Sequence, residues 1–281
     1  MRGNPRQVWI PSTDGVLVVA HDYGGDGPPI IFCHATGFHG RYWDLVCSAL
    51  LKDYHCISLD FRGHGDTQTP TGTSMNWSGM GEDLLSVVDH FNFGKVFGVG
   101  HSMGGTSLLL AERERQEVFE SLWLFEPIVI PIGPLAEKIP WDSDLAVSAR
   151  KRRERFRSRD EAFNRYASRP PFSSVDSGAL RSYVDYGFVD HKEGGVILKC
   201  RGETEAQVFE NSATGLFGAL PLVKVDSRIV GSSDQQGPAL IAPDIAKALP
   251  NGAYESFSGL THFAPMEDPG RVAESIRRFF N

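Results

Sequence analysis

The sequence of 281 residues contains no long apolar run. Its first residues, MRGNPRQVWIPSTDG, contain no apolar stretch of the kind a secretory signal requires, so we expect no signal peptide. No run of about 18 or more apolar residues occurs, so no transmembrane helix is expected. The expected location is the cytoplasm, without a membrane partner.

Cysteine and basic charge are also scarce. The four cysteines show neither a CxxC motif nor zinc-ligand spacing, and Cys33 and Cys56 lie in apolar runs, which predicts buried, reduced thiols. Lysine and arginine number 28 against 35 acidic residues, giving a net charge of −7. This balance gives no reason to expect nucleic acid as a partner. No metal or other cofactor is expected.

The sequence does contain short apolar runs that alternate with helix-like segments. Val8–Ile10 and Val16–His21 flank a Thr-Asp-Gly turn and predict an opening hairpin. Predicted strands then follow at 30–33, 56–59, 95–99, 121–125, 223–230 and 253–257. Predicted helices lie at 42–51, 80–91, 104–112, 241–249 and 272–280. This alternation predicts an α/β fold with a mostly parallel, twisted sheet and helices on both faces.

Residues 128–222 interrupt this alternation. Predicted helices at 150–159, 160–166 and 179–186 occur there, and Pro170-Pro171 separates the last two. We interpret 128–222 as a helical cap inserted into a core formed by 1–127 and 223–281. The run RKRRERFRSR at 150–159 is either an anion-binding surface or, as we prefer, a solvated helix face paired with acidic neighbours.

The motif that carries chemistry is Gly100-His101-Ser102-Met103-Gly104, a G-x-S-x-G pattern between a predicted strand and a predicted helix. A serine on such a tight turn adopts strained backbone angles, and the flanking glycines leave room for the turn. The N-terminus of the following helix points its free N–H groups at the same place, where negative charge develops. Ser102 is therefore the predicted nucleophile.

A serine nucleophile requires a general base, and His262 is the best placed of the nine histidines. It follows the predicted strand at 253–257, from which a loop can reach the nucleophile. His101 is held by the strand that it ends. Two carboxylates compete for the third position of a triad: Asp234 after the strand at 223–230, and Glu126 after the strand at 121–125.

From His34 to Pro269 the chain resembles the α/β-hydrolase superfamily. The resemblance rests on the segments HATG (34–37), DFRGHG (60–65), GHSMGG (100–105), GSSD (231–234) and THFAPMEDP (261–269). In most of the superfamily the acid follows the late strand, which slightly favours Asp234. In some branches, including haloalkane dehalogenases and zearalenone-type lactonases, the triad acid is a glutamate that follows the strand before the late one. The segment FEPIVIP (125–131) is similar to that pattern and would make Glu126 the acid.

The resemblance also implies an oxyanion hole and a pocket. The N–H groups of Thr36 and Met103 would form the oxyanion hole, although Ala35 stands where the superfamily usually has glycine. The predicted substrate-binding residues are Phe38, His39, Trp43, His101, Ile128, Trp141 and Phe263. The aromatic residues after Gly37 are equally consistent with the packed start of a helix.

These features predict a serine hydrolase that cleaves a small carboxylic ester or lactone through an acyl-enzyme. Epoxide hydrolases and dehalogenases are disfavoured, because a serine would form an ether with the alkyl group that could not be hydrolysed. A carbon–carbon bond hydrolase, a cofactor-free perhydrolase or oxygenase, and a slow-turnover ligand receptor remain alternatives that use the same residues. The expected partner is a small ester-like molecule, and the oligomeric state is left open.

Overall fold

The computed structural model describes residues 4–131, 136, 144–233 and 237–281. Its strands are β1 (Arg6–Pro11), β2 (Leu17–Gly24), β3 (Pro29–Cys33), β4 (His55–Asp60), β5 (Val96–His101), β6 (Phe119–Phe125), β7 (Arg155–Phe156), β8 (Phe188–Asp190), β9 (Val196–Leu198), β10 (Asp226–Ser232) and β11 (Gly252–Phe257). Its α-helices are α1 (Asp44–Leu50), α2 (Trp77–Phe91), α3 (Met103–Glu114), α4 (Leu145–Lys151), α5 (Arg159–Ala167), α6 (Ser177–Gly187), α7 (Gly202–Glu210), α8 (Leu216–Ala219), α9 (Ala242–Ala248), α10 (Ala264–Glu267) and α11 (Pro269–Phe280).

Eight strands form one sheet in the order β1-β2-β4-β3-β5-β6-β10-β11. The hairpin β1–β2 is antiparallel and joins β4 in antiparallel pairing, whereas all pairs from β4 to β11 are parallel. The predicted opening hairpin and the mostly parallel sheet are therefore confirmed. The carboxyl ends of β5, β6 and β10 lie side by side, so the loops that follow them open at one edge of the sheet.

The sheet is buried on both faces because alternate residues of its strands enter different cores. In β3, Ile31 and Cys33 pack in the core that contains side chains of α2, α3 and α9. Ile30 and Phe32 point the other way, into the core that contains side chains of α1 and α11. This two-sided burial explains why the strands are continuous apolar runs.

The segment between β6 and β10 agrees with its prediction only in part: α5 and α6 lie where helices are predicted at 160–166 and 179–186. Its described residues contain helices α4 to α8 and a three-stranded antiparallel sheet in the order β7-β9-β8, which the sequence did not suggest. The predicted helix over 150–159 is wrong, because α4 ends at Lys151 and α5 begins at Arg159. Its arginines pair with distant acids, including Arg155 with Glu193, and such tertiary pairing overrides local helix propensity.

No helix among the described residues is long and apolar enough to cross a membrane. The described residues also contain no cluster of three or more histidine, cysteine, aspartate or glutamate side chains arranged to hold a metal ion. All four cysteines are buried.

Candidate active site

Ser102 occupies the turn between β5 and α3. Its backbone angles are φ 55° and ψ −120°, a strained conformation for a residue with a side chain. Its N–H donates to the carbonyl of Phe125 over 2.9 Å, which ties the turn to the end of β6. The residue is 7% exposed and lines a cavity. The strand–turn–helix setting predicted for this serine is therefore present.

The glycines of the motif are required by close packing. A methyl group placed on Gly100 would lie 2.6 Å from the Cα of Gly105. One placed on Gly104 would lie 2.5 Å from the carbonyl carbon of Cys33 and 2.7 Å from the carbonyl oxygen of His34. Helix α3 consequently starts directly against the loop that follows β3.

His262 lies in the loop between β11 and α10, and its ring lines the same cavity as Ser102. Its Nδ1 is 2.5 Å from Oε2 of Glu126. The Ser102 hydroxyl makes no hydrogen bond to His262 within the described part of the chain. Such contacts are often long in ligand-free sites and tighten when substrate binds. The imidazole is thus oriented on one side and faces the cavity on the other.

Glu126 is the most constrained acid at this edge of the sheet. It has φ 44°, is 1% exposed, and accepts a 2.6 Å hydrogen bond from the N–H of Ser232 on Oε1. Burial alone would raise its pKa, but the hydrogen bonds from His262 and Ser232 outweigh burial and hold the pKa below its ordinary value. The carboxylate is therefore ionised, and His262 must donate its Nδ1–H to it.

Asp234, the other predicted acid, lies outside the described residues. Strand β10 ends two residues earlier, at Ser232, so both carboxylates follow adjacent parallel strands. Of the two, Glu126 has a described contact with His262.

The predicted oxyanion hole lies where β3 and β5 end. Thr36 is 7% exposed and lines the cavity, and its hydroxyl donates to Sδ of Met103 over 3.4 Å. Met103 is the first residue of α3, where backbone N–H groups have no partner within the helix. Neither of the two N–H groups donates to a described residue. Both N–H groups are therefore candidate donors to an oxygen bound at Ser102.

Two buried histidines hold the loop that contains Thr36. His34 donates from Nδ1 to the carbonyl of Ala35 over 2.8 Å and accepts the N–H of Phe61 on Nε2. His64 accepts the N–H of Gly37 on Nε2 over 3.1 Å. Burial lowers the pKa of both imidazoles, so they stay neutral and keep these accepting nitrogens. They position backbone and do no chemistry of their own.

The cavity above Ser102 has a volume of about 1230 Å³ and a largely apolar wall. Four of the predicted substrate-binding residues line it: Phe38, His101, Ile128 and Phe263. Two others lie elsewhere. Trp43 is fully buried against Phe32, and His39 is buried with Nε2 3.0 Å from the carbonyl of Tyr183. The predicted pocket residue Trp141 lies outside the described residues.

A polar cluster lies in the cavity wall. Sequence reasoning offered its two tyrosines as residues that close over the substrate but missed Arg152 and Glu205. Arg152, Tyr166, Tyr183 and Glu205 line the cavity beside Gly37. Arg152 belongs to the basic run at 150–159, which is apparent in the sequence. Sequence spacing, however, shows neither that Glu205 is its partner nor that it lines the same cavity as Ser102.

Known proteins resemble this chain in both sequence and fold. A profile of the alpha/beta hydrolase family matches residues 30–275. The Haemophilus influenzae protein named "Putative esterase/lipase" is 24% identical over 263 residues, covering 90% of this chain and 83% of the relative. The 3-oxoadipate enol-lactonase 1 of Acinetobacter baylyi is 32% identical over 84 residues, which cover 30% of this chain and 31% of the relative.

A solved structure matches almost the whole chain. The crystal structure of E-2-(acetamidomethylene)succinate hydrolase superimposes with a TM-score of 0.82 at 18% identity, covering 98% of this chain and 99% of that one. This likeness shows the fold, and the profile match covers more than half of the chain. The protein is therefore a member of the alpha/beta hydrolase family.

Proposed function

We propose that the protein is a serine hydrolase that cleaves a carboxylic ester or lactone through an acyl-enzyme intermediate. The observation that carries the proposal is the pairing of a strained Ser102, at the start of α3, with the His262–Glu126 hydrogen bond beside the same cavity. The names of the Haemophilus and Acinetobacter relatives, which mention an esterase and a lactonase, support the same class of reaction.

In the proposed mechanism, Oγ of Ser102 attacks the ester carbonyl while Nε2 of His262 accepts the hydroxyl proton. Nε2 is the nitrogen available for this step, because Nδ1 is bonded to Glu126. The carbonyl oxygen becomes negatively charged and accepts the N–H groups of Thr36 and Met103. Each such donor contributes about 3 kcal/mol to lowering the barrier.

The tetrahedral intermediate collapses as His262 gives its proton to the leaving alcohol. Water then attacks the acyl-serine, and His262 accepts its proton in the same manner. The products are the carboxylic acid and the alcohol, with Ser102 restored. Glu126 stays ionised throughout, stabilising the imidazolium and keeping the proton of the neutral ring on Nδ1.

We also propose that residues 128–222 act as a cap over this site, inserted into the core formed by 1–127 and 223–281. Support comes from the cavity wall, which combines Thr36 and Ser102 at the edge of the sheet with Arg152, Phe172 and Tyr183 from the inserted segment. Substrate shape would then be selected mainly by the insertion.

The proposal is tested by turnover of a panel of p-nitrophenyl esters and simple lactones. Ser102→Ala is expected to lower kcat by at least about 10⁴-fold while circular dichroism and Tm stay unchanged. Ser86→Ala removes a hydroxyl on α2, far from the cavity, and is expected to keep wild-type turnover. Retained activity in Ser102→Ala, or tight ester binding without product in the wild type, would overturn the proposal.

A further inference from the structure

Arg152 is a largely buried cation in the wall of the cavity. Its Nη1 donates to Oε2 of Glu205 over 2.5 Å, and its Nη2 donates to the hydroxyls of Tyr183 and Tyr166 over 3.0 and 3.3 Å. Apolar side chains of similar volume often stabilise a core as well as a buried ion pair does. A buried ion pair is therefore weak evidence for a purely stabilising role, and binding of a ligand is the other role that a buried arginine in a cavity wall can have.

The guanidinium of Arg152 is not saturated by the protein. Arginine carries five N–H donors. Three are used by Glu205, Tyr166 and Tyr183, and within the described residues the other two have no acceptor. These are the N–H on Nε and one N–H on Nη1, which point to different sides of the guanidinium, so one oxygen of a ligand carboxylate can accept either of them and pair with the charge of Arg152.

Arg152 also lies beside the proposed oxyanion loop. A methyl group built on Gly37 would be 3.5 Å from its Nη1, and Tyr183, which binds its Nη2, donates to the carbonyl of Gly37 over 3.4 Å. Gly37 directly follows Thr36. Arg152 and its partner Glu205 therefore both lie beside the loop that carries Thr36, in the wall of the cavity that Ser102 also lines.

The surrounding charge favours an anion as well. The described residues that line the cavity include five cations and two anions, although the whole chain carries a net charge of −7. Both anions, Glu205 and Glu210, are already paired with arginines. Lys151, Arg165 and Arg169 have no ion-pair partner among the described residues. Cations concentrated at a cavity in an acidic protein attract anionic ligands from solution.

We infer that the substrate is an ester or lactone that carries a carboxylate, bound by Arg152 and attracted into the cavity by Lys151, Arg165 and Arg169. The inference rests on the proposed serine-hydrolase function. Hydrolysis then adds one water across the ester bond. The new carboxylate forms on the acyl product, and the original carboxylate stays on whichever part, acyl or alcohol, carried it. A lactone opens in the same way to a single hydroxy acid with two carboxylates.

Two matched substrates test the inference: mono-p-nitrophenyl glutarate and p-nitrophenyl methyl glutarate, which share the reacting ester and differ in one negative charge. The wild type is expected to show a kcat/KM at least tenfold higher for the acid, with a ratio that falls as salt screens the charges. Equal kcat/KM values would overturn the inference and leave the serine-hydrolase proposal intact. Cleavage of neither compound, nor of any ester in the panel, would overturn both.

Variants then test which cations cause the preference for the acid substrate. The double variant Arg165→Gln, Arg169→Gln is expected to lower the acid-to-methyl-ester ratio severalfold, mainly through KM for the acid. Arg157→Gln removes one positive charge, half the change of the double variant, from an exposed neighbour that does not line the cavity, and it is expected to keep the ratio. An equal loss in Arg157→Gln would mean that distant charge, not the cavity, sets the preference, and would contradict the inference.

Arg152→Lys keeps the charge beside Glu205 but removes the planar donor set. It is expected to lower kcat/KM for the acid much more than for the methyl ester. A structural role would lower both substrates alike, and that result would contradict binding by Arg152.

Discussion

At the residue scale, the candidate site is marked by two strained residues on neighbouring strands. Ser102 follows β5 with φ 55°, and Glu126 follows β6 with φ 44°. Positive φ at a residue with a side chain persists only where surrounding contacts enforce it, and such residues concentrate at functional sites. The N–H of Ser102 and the N–H of Glu126 are both fixed by carbonyls of the adjacent strand. The sheet itself thus holds the proposed nucleophile and the proposed acid at one edge.

Replacing the acid distinguishes the two carboxylates that the sequence offers. Glu126→Gln is expected to lower kcat by about 10³–10⁴-fold, because a neutral amide no longer stabilises the imidazolium or fixes its tautomer. Asp234→Asn is the matched control and is expected to keep kcat within severalfold. A loss of 10³-fold or more in Asp234→Asn with little change in Glu126→Gln would assign the acid to Asp234.

Sequence reasoning reached both acids and slightly favoured Asp234, whereas the proposed acid is Glu126. Glu126 and Asp234 follow adjacent parallel strands, and Val230 pairs with Phe125, so either carboxylate starts from the same edge of the sheet. The choice depends on the path of the loop that carries His262, which no local pattern encodes. Ser102 and His262 were identifiable because their motifs combine a residue type with a strand end.

At the element scale, the start of α3 and the loop after β3 share one close contact. Gly104→Ala would place a methyl group against the backbone of Cys33 and His34, where no flexible side chain can yield. We expect kcat/KM to fall by more than tenfold, because the N–H groups of Thr36 and Met103 would move apart, together with a measurable loss of Tm.

Gly81→Ala is the control for that substitution. Gly81 lies inside α2, where an added methyl group would make ordinary contacts of 3.5 Å or more, and alanine favours the helix by about 1 kcal/mol. Its kcat/KM is expected to stay at the wild-type level. Wild-type activity in Gly104→Ala would show that the close contact does not set the geometry of the site.

The elements themselves were predictable to different degrees. The strands and helices of the sheet region were located to within a few residues, because two-sided burial produces clear apolar runs. In the inserted segment, the helices predicted at 160–166 and 179–186 correspond to α5 and α6, whereas the helix predicted over 150–159 is wrong. The arginines of that run are used in tertiary ion pairs: Arg150 binds Glu203 and Glu210, and Arg159 binds Asp190. A short stretch of sequence predicts a basic helix from these residues, because it contains no information about their distant acidic partners.

At the scale of the whole molecule, His39 joins the sheet region to the inserted segment through its bond to the carbonyl of Tyr183. Burial lowers its pKa to about 4, whereas an unfolded histidine titrates near 6.5. The unfolded chain therefore binds more protons between these values. The free energy of unfolding should be highest above pH 6.5 and should fall as the pH drops toward 4.

This linkage predicts a loss of about 2 kcal/mol from His39 between pH 7 and pH 5. Gln keeps a donor near Nε2 but does not titrate, so His39→Gln should show a correspondingly weaker pH dependence in urea unfolding. His90→Gln changes an exposed histidine and should follow the wild type. Burial also lowers the pKa of His34, His64 and His101, which therefore keep some pH dependence in every variant. An identical slope in wild type and His39→Gln would contradict the prediction.

The proposed mechanism depends on Ser102 being the group that becomes acylated. A fluorophosphonate reacts irreversibly with an activated serine, so labelling followed by peptide mass spectrometry tests this claim most directly. We predict one phosphonyl group per chain, located on Ser102, with loss of ester turnover in proportion to labelling and no labelling of Ser102→Ala. Inactivation that tracks a label on another residue, or an unlabelled Ser102 in protein that has lost activity, would contradict the account.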